Sequence, residues 1–147
     1  MDERIQKLKS PEDCERFAKN AAERGRPDLA QEARKRAVEL RAESYGAQSK
    51  AERECLEAVY AYEEVLTAKN GKKTKASRTW QMIKKHGILP AVERAVNRPQ
   101  ETAGYTALLE MGLEDYAFEA VVVKYPELFS KEAVARCEER IEQWKNA

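Results

Sequence analysis

Residues 49–71 read SKAERECLEAVYAYEEVLTAKNG, and both ends of a helix are written in them. Ser49 followed by Glu52 is a capping signature, in which the serine oxygen takes an otherwise unpaired amide of the first turn. Leu56, Val59, Tyr62, Val65 and Leu66 then recur at helical spacing, and Gly71 supplies the left-handed residue on which helices end. The spacing predicts one helix of roughly twenty residues. Its other side carries Glu52, Glu57, Glu63 and Glu64. Closely spaced carboxylates can hold hard cations, but di-iron bundles pair them with Glu-x-x-His steps, and the single histidine, His86, has Ile83 three places before it. The acids therefore read as a solvated face, and neither a metal site nor a cofactor is assigned.

Toward the N-terminus, Ser10, Pro11 and Asp13 give an N-cap, a proline at the first helical position and a capping-box variant. The helix they open carries Phe17, Ala18, Ala21 and Ala22 and stops near Gly25. Pro27 then opens another, with Leu29, Ala30, Ala33, Ala37 and Leu40. Together they form a helical hairpin over residues 10–43. Within FAKNAAERGRPDLAQEARKRAVEL, residues 17–40, Ala18, Ala30 and Ala37 fall at the spacing with which tetratricopeptide repeats bring paired helices close, and Gly25 lies in the turn. Residues 13–41 thus resemble one such repeat. Ala21 and Arg34 stand where that family has large aromatics, and no second copy follows at a period of about 34 residues. The resemblance implies a local helix pair, and with it an alternative role as a docking surface for another protein.

The last third completes a bundle. GYTALLEMG, residues 104–112, supplies Tyr105, Leu108, Leu109 and Met111; LEDYAFEAVVVKYP, residues 113–126, reads as a further helix broken by Pro126. Ser130 caps a final helix with Val134, Cys137, Ile141 and Trp144 on one stripe. That stripe closes the core, or pairs with a second copy as a short seam, so a monomer or weak dimer is expected. Aromatics are only 7% of the chain while charged residues are 36%, and Gly and Pro are few, a composition that favours helices. The fold class expected is all-α: a single-domain bundle over residues 1–147 of about seven short to medium helices, comprising hairpin 10–43, long helix 49–70, basic pair 71–98 and C-terminal helices 99–147. Cys14, Cys55 and Cys137, odd in number and widely spaced, are expected reduced and at least partly buried. With no run of eighteen apolar residues and no signal-like N-terminus, a cytoplasmic protein without membrane contact is expected.

Function turns on residues 70–87, NGKKTKASRTWQMIKKHG, which contain no carboxylate. Segment 69–98 holds nine basic residues against Glu93 alone, a net +8, while residues 1–68 carry −2 and residues 99–147 carry −5. A formal charge of +1 thus hides a basic middle between acidic ends. On a helical wheel Ala76, Thr79, Trp80 and Ile83 share the inward side, while Arg78, Gln81 and Lys85 lie opposite and Lys84 flanks. Ser77 or Thr74 would cap this helix, Gly87 would end it, and Pro90 would start the next, with Val92, Ala95 and Val96 inward and Arg94 and Arg98 outward. Two helices joined through HGIL suggest a helix-turn-helix, although Glu93 occupies the apolar position usual six residues after the turn glycine. The expected nucleic-acid contacts are Lys72, Lys73, Lys75, Arg78, Lys84, Lys85, Arg94 and Arg98. NGKKT lacks the upstream glycine of a P-loop and a Lys-Ser/Thr pair directly after its own glycine, and PDLAQEAR ends in Arg where a nuclease signature would not. His86 is read as helping to end its helix, its charge favoured by the dipole. With no catalytic residue assigned, the expectation is a non-enzymatic module that binds DNA or RNA within a larger protein or complex.

Overall fold

The structure is a computed structural model that describes residues 2–98 and 102–146. Among these residues it contains nine α-helices, two 3-10 turns and no strand: α1 Glu3–Gln6, α2 Pro11–Glu23, α3 Pro27–Tyr45, α4 Lys50–Asn70, α5 Ser77–His86, α6 Ile88–Val96, α7 Thr102–Glu110, α8 Phe118–Lys124 and α9 Lys131–Lys145. The all-α class is as expected. The one helix among the nine that the sequence did not announce is the short α1, and one expected helix is shortened. Asp2 caps α1 by accepting from the Arg4 amide at 2.8 Å, and α1 is retained because Ile5 packs, fully buried, against Ala18, Leu29 and Ala33. In the C-terminal third, the expected helix over 113–125 is interrupted: residues Glu114–Tyr116 form a 3-10 turn, Ala117 is extended, and only then does α8 begin.

The other caps follow the sequence. Ser10 Oγ accepts from the Asp13 amide at 3.2 Å, Ser49 Oγ from Glu52 at 3.1 Å and Ser130 Oγ from Ala133 at 3.1 Å. Gly71 closes α4 with φ +70°, a conformation that costs a glycine little and other residues a great deal. Small residues let α2 and α3 pack side by side: Ala18, Ala21, Ala30 and Ala33 share one buried cluster with Leu29 and Ile5. The element that follows is the single long α4, not a second short pair, so no repeat of the hairpin follows it.

Helix α4 is the spine. Cys55 and Ala58 join Val92, Val96, Val121, Val122, Phe129 and Cys137; Val59 joins Ala76, Ile83 and Ala91; Ala61 joins Val38 and Leu113. One helix thus contributes to three buried clusters built with α3, α5, α6, α8 and α9. All three cysteines are free and buried, and burial pushes the Cys55 and Cys137 thiols up to about 12. No described helix is long and apolar enough to cross a membrane.

The acidic side of α4 departs from expectation. Glu64 pairs with Arg41 at 2.7 Å, Glu57 with Arg53 at 3.8 Å, and Glu54 with Lys124 and the Tyr125 hydroxyl. The side chains of Glu57 and Glu64 keep only 13% and 11% of their surface, so this is a network of partnered carboxylates and not a solvated face. Periodicity along α4 alone cannot register partners that arrive from α3 and α8.

Candidate nucleic-acid interface

The basic pair of helices is positioned by a carboxylate of α4. Neither Ser77 nor Thr74 caps α5: Thr74 Oγ1 donates to the Lys72 carbonyl at 2.8 Å within the connector, and the N-cap residue is Ala76. Glu63 does the work instead, accepting from the Ala76 amide at 2.8 Å and from the Trp80 indole Nε1 at 2.6 Å. A carboxylate at a helix N-terminus also meets the positive end of the dipole. Trp80 stacks on Tyr45 with centroids 5.7 Å apart, tilts against Tyr60 at 5.2 Å, and packs beside the buried Val59, Ala76, Ile83 and Ala91. The Trp ring and the Glu63 bonds therefore fix one side of α5 inward, which leaves Arg78, Gln81 and Lys85 outward as their wheel positions require.

Gly87 makes the turn to α6 at φ +95°, and α6 starts at Ile88, two residues before Pro90. The proline is tolerated because it lies within the first turn, where its missing N–H would lack an intrahelical acceptor; the first such bond runs from the Ala91 amide to the Gly87 carbonyl at 3.1 Å. Val92 and Val96 are fully buried, so Arg94 and Arg98 face out. The far end of α6 is held by α9: Arg140 donates to the Val96 carbonyl at 2.7 Å and to the Arg98 carbonyl at 2.8 Å, and pairs with the buried Glu119 at 3.3 Å. Glu93, the single acid of the basic segment, is used structurally. It accepts from the Ser130 amide at 2.9 Å, the Ser130 hydroxyl at 2.7 Å and Asn97 at 2.9 Å.

Between α5 and α6 lies an open groove of about 630 Å3, and it gathers four of the eight expected cations: Arg78 and Lys85 from α5, Arg94 from α6 and Arg98 just beyond its end. Gln81, Met82, His86 and Asn97 also line it, and among the described residues no carboxylate does. Among the described residues none of these four cations is ion-paired to a carboxylate; Arg98 Nη2 approaches Met82 Sδ at 3.6 Å. Burial, then the neighbouring Arg94 and Lys85, hold the His86 imidazole below its usual range, so the charge expected to be favoured by the helix end is disfavoured instead.

The remaining four expected residues lie elsewhere. Lys84 is exposed but does not line the groove. Lys72, Lys73 and Lys75 sit on the exposed connector before α5, and Lys73 and Lys75 border a different cleft, of about 230 Å3, together with Glu15, Glu63 and Glu64. Lys73 and Lys75 thus share a cleft with acids, whereas the four groove cations share one that no carboxylate lines among the described residues. Asn97, at the end of α6, was not marked by the sequence; its place three residues after Arg94 is the signal that could have drawn attention to it. Among the described residues no group of three or more His, Cys, Asp or Glu converges as a metal-ligand set would.

Comparison with known protein families, with curated protein sequences and with solved structures returns no match to this chain.

Proposed function

We propose that the chain is a non-enzymatic nucleic-acid-binding module, working within a larger protein or complex, and that the α5–α6 groove takes the phosphate backbone. One observation carries the reading. Four guanidinium and ammonium groups surround a groove that no carboxylate lines among the described residues, on a chain that pairs Arg41, Lys124 and Arg140 with acids. Like charges gathered without counter-charge repel one another, and a polyanion relieves that repulsion while releasing its own counterions. The cations come from both helices and flank the cleft between them, which suits a backbone lying along the groove better than a single recognition helix entering the DNA major groove.

The test is fluorescence anisotropy with DNA and RNA across a salt series. Neutralising about four phosphates predicts a slope of log affinity against log salt of roughly −3. Replacing Arg78, Lys85, Arg94 and Arg98 together by Gln should flatten the slope and abolish binding at moderate salt. The same replacement of Lys72, Lys73 and Lys75 should have the smaller effect. Folding stability of the groove variant should stay within about 0.5 kcal/mol per site, because the side chains are exposed and unpaired. If the parent binds neither polymer at low salt, the reading fails, and docking of a partner protein on the hairpin 10–43 takes its place.

A further inference from the structure

Next to the groove the fold leaves a second, smaller cavity of about 170 Å3, where α4, α5, α6, α7, α8 and α9 meet. Five rings contribute to its walls, Tyr62, Tyr105, Tyr116, Phe118 and Trp144, beside the buried Glu119, whose carboxylate is paired with Arg140 at 3.3 Å. Tyr105 and Trp144 stack almost parallel, with centroids 4.3 Å apart and planes inclined by 13°; Tyr62 and Phe118 are tilted at 6.5 Å. Two further residues, Met82 and Arg98, line both this cavity and the basic groove, so the two are contiguous. Tyr62 remains 39% exposed, unusual for a ring in the middle of the long central helix.

We propose that this cavity receives an unstacked nucleobase of a single strand whose phosphates lie in the adjoining groove. The inference rests on the phosphate reading above and names the form of polymer that the same site would select. Volume sets the first constraint. An apolar cavity of about 150 Å3 admits one benzene-sized ring, so 170 Å3 suits one planar group and not a folded peptide side. Chemistry sets the second. Aromatic walls bind any base through its π-face, and they do so where a cationic surface tracks the backbone beside them, the arrangement by which single strands are held without sequence preference. Arg98 is placed at the junction, where a phosphate linked to the inserted base would pass. A duplex keeps its bases stacked and paired, and would have to extrude one to fill the cavity, at a cost of a few kcal/mol.

The experiment compares, by anisotropy at fixed salt, labelled oligonucleotides of about 12 nucleotides as an intact single strand, as a duplex, and as a strand of abasic residues that keeps every phosphate. DNA and RNA versions are run in parallel. The intact single strand should bind at least fivefold tighter than the other two, about the lower bound for one stacked base. A strand carrying 2-aminopurine should change its emission on binding the parent protein. Tyr62→Leu should weaken the intact strand by a similar factor and leave the salt slope near −3, because it removes a ring and no charge. Equal binding of the intact strand, the duplex and the abasic strand, with that slope preserved, would overturn the base pocket and leave the phosphate reading standing. Absence of binding by every polymer removes both. Should Tyr62→Leu lose its fold, the abasic strand and the aminopurine signal still decide the matter on the parent protein.

Discussion

Two faces of this molecule treat arginine in opposite ways. On α3 and α4, Arg41 is drawn into the protein with only 15% of its side chain exposed, donating to Glu64 at 2.7 Å and to Glu15, and Arg53 lies within ion-pair distance of Glu43 and Glu57. On α5 and α6, Arg78 and Arg94 are exposed beside Lys85 and Arg98, and among the described residues no carboxylate lines their groove. The first arrangement holds helices together; the second stores unrelieved repulsion on a rigid support. A guanidinium that already has its acids has little left to offer a ligand, whereas one that has none is free to bind. Charge count alone would treat the two faces alike, and partner accounting separates them.

The sharpest way to break that contrast is to remove one cation from each face. Arg41→Met leaves Glu64 largely buried, where burial already pushes its pKa up despite the guanidinium beside it. Loss of the partner from a buried pair is strongly destabilising, and with Glu15 half-exposed the expected cost is about 3 kcal/mol in urea denaturation. Arg41→Met combined with Glu64→Leu should recover much of it, since two apolar side chains tolerate the site better than one stranded carboxylate. Arg94→Gln should change stability by no more than about 0.5 kcal/mol. Equal losses at Arg41 and Arg94 would show that the groove is as structural as the pairs.

Next in size is the wedge between the two faces. Trp80→Ala removes the ring from Tyr45, Tyr60 and the cluster around Ile83, and should cost about 3 kcal/mol, the lower end for a buried aromatic because Trp80 is only half-buried. Trp80→Phe keeps a ring but withdraws the indole N–H from Glu63, for about 1 kcal/mol. Both variants should retain the salt slope of the parent. Unchanged thermal stability with lost binding would instead make Trp80 a stacking platform and move it to the ligand side of the comparison.

How far the sequence carries the reader follows from the range of the interactions. Ser10, Ser49 and Ser130 were legible as caps because each partner amide is three residues away. The start of α5 was not, because its cap comes from Glu63, thirteen residues before Ala76 and on another helix. The outward placement of Arg78 and Lys85 follows from the helical wheel once Trp80 is inward. Their meeting with Arg94 and Arg98 depends on how Gly87 sets α6 against α5, which no periodicity encodes. The connector lysines 72, 73 and 75 have the same local signature and end up elsewhere. The break at Ala117 was hidden for a similar reason: Leu113, Tyr116, Ala117, Ala120 and Val121 keep helical spacing through a 3-10 turn and an extended residue. The aromatic cavity collects rings from residues 62 to 144 and has no local signature at all.

The smallest predicted effect uses the one residue of the groove that titrates near neutrality. In the free protein His86 is held below its usual range, first by burial and then by Arg94 and Lys85; Arg78 and Arg98 line the same groove, and no carboxylate does among the described residues. A bound phosphate would offset Arg94 and Lys85 and so raise the His86 pKa in the complex. The complex then binds more protons than the free protein, and by linkage affinity must rise as pH falls. The gain begins at the bound-state pKa, levels off below the free-state pKa, and is absent at higher pH, where the imidazole is neutral in both states. A difference of one pKa unit limits it to about tenfold. Glu93 does not confuse the reading: burial pushes its pKa up, but hydrogen bonds from Ser130 and Asn97 bring it below the usual carboxylate range, so it stays ionised throughout. Anisotropy between about pH 8 and about pH 5.5 should therefore show a several-fold rise in affinity that disappears in His86→Gln, while that variant keeps its binding at pH 8. A flat profile in the parent, or the same rise in the variant, would place the phosphates away from His86 and shift the binding face toward the Arg78 end of the groove.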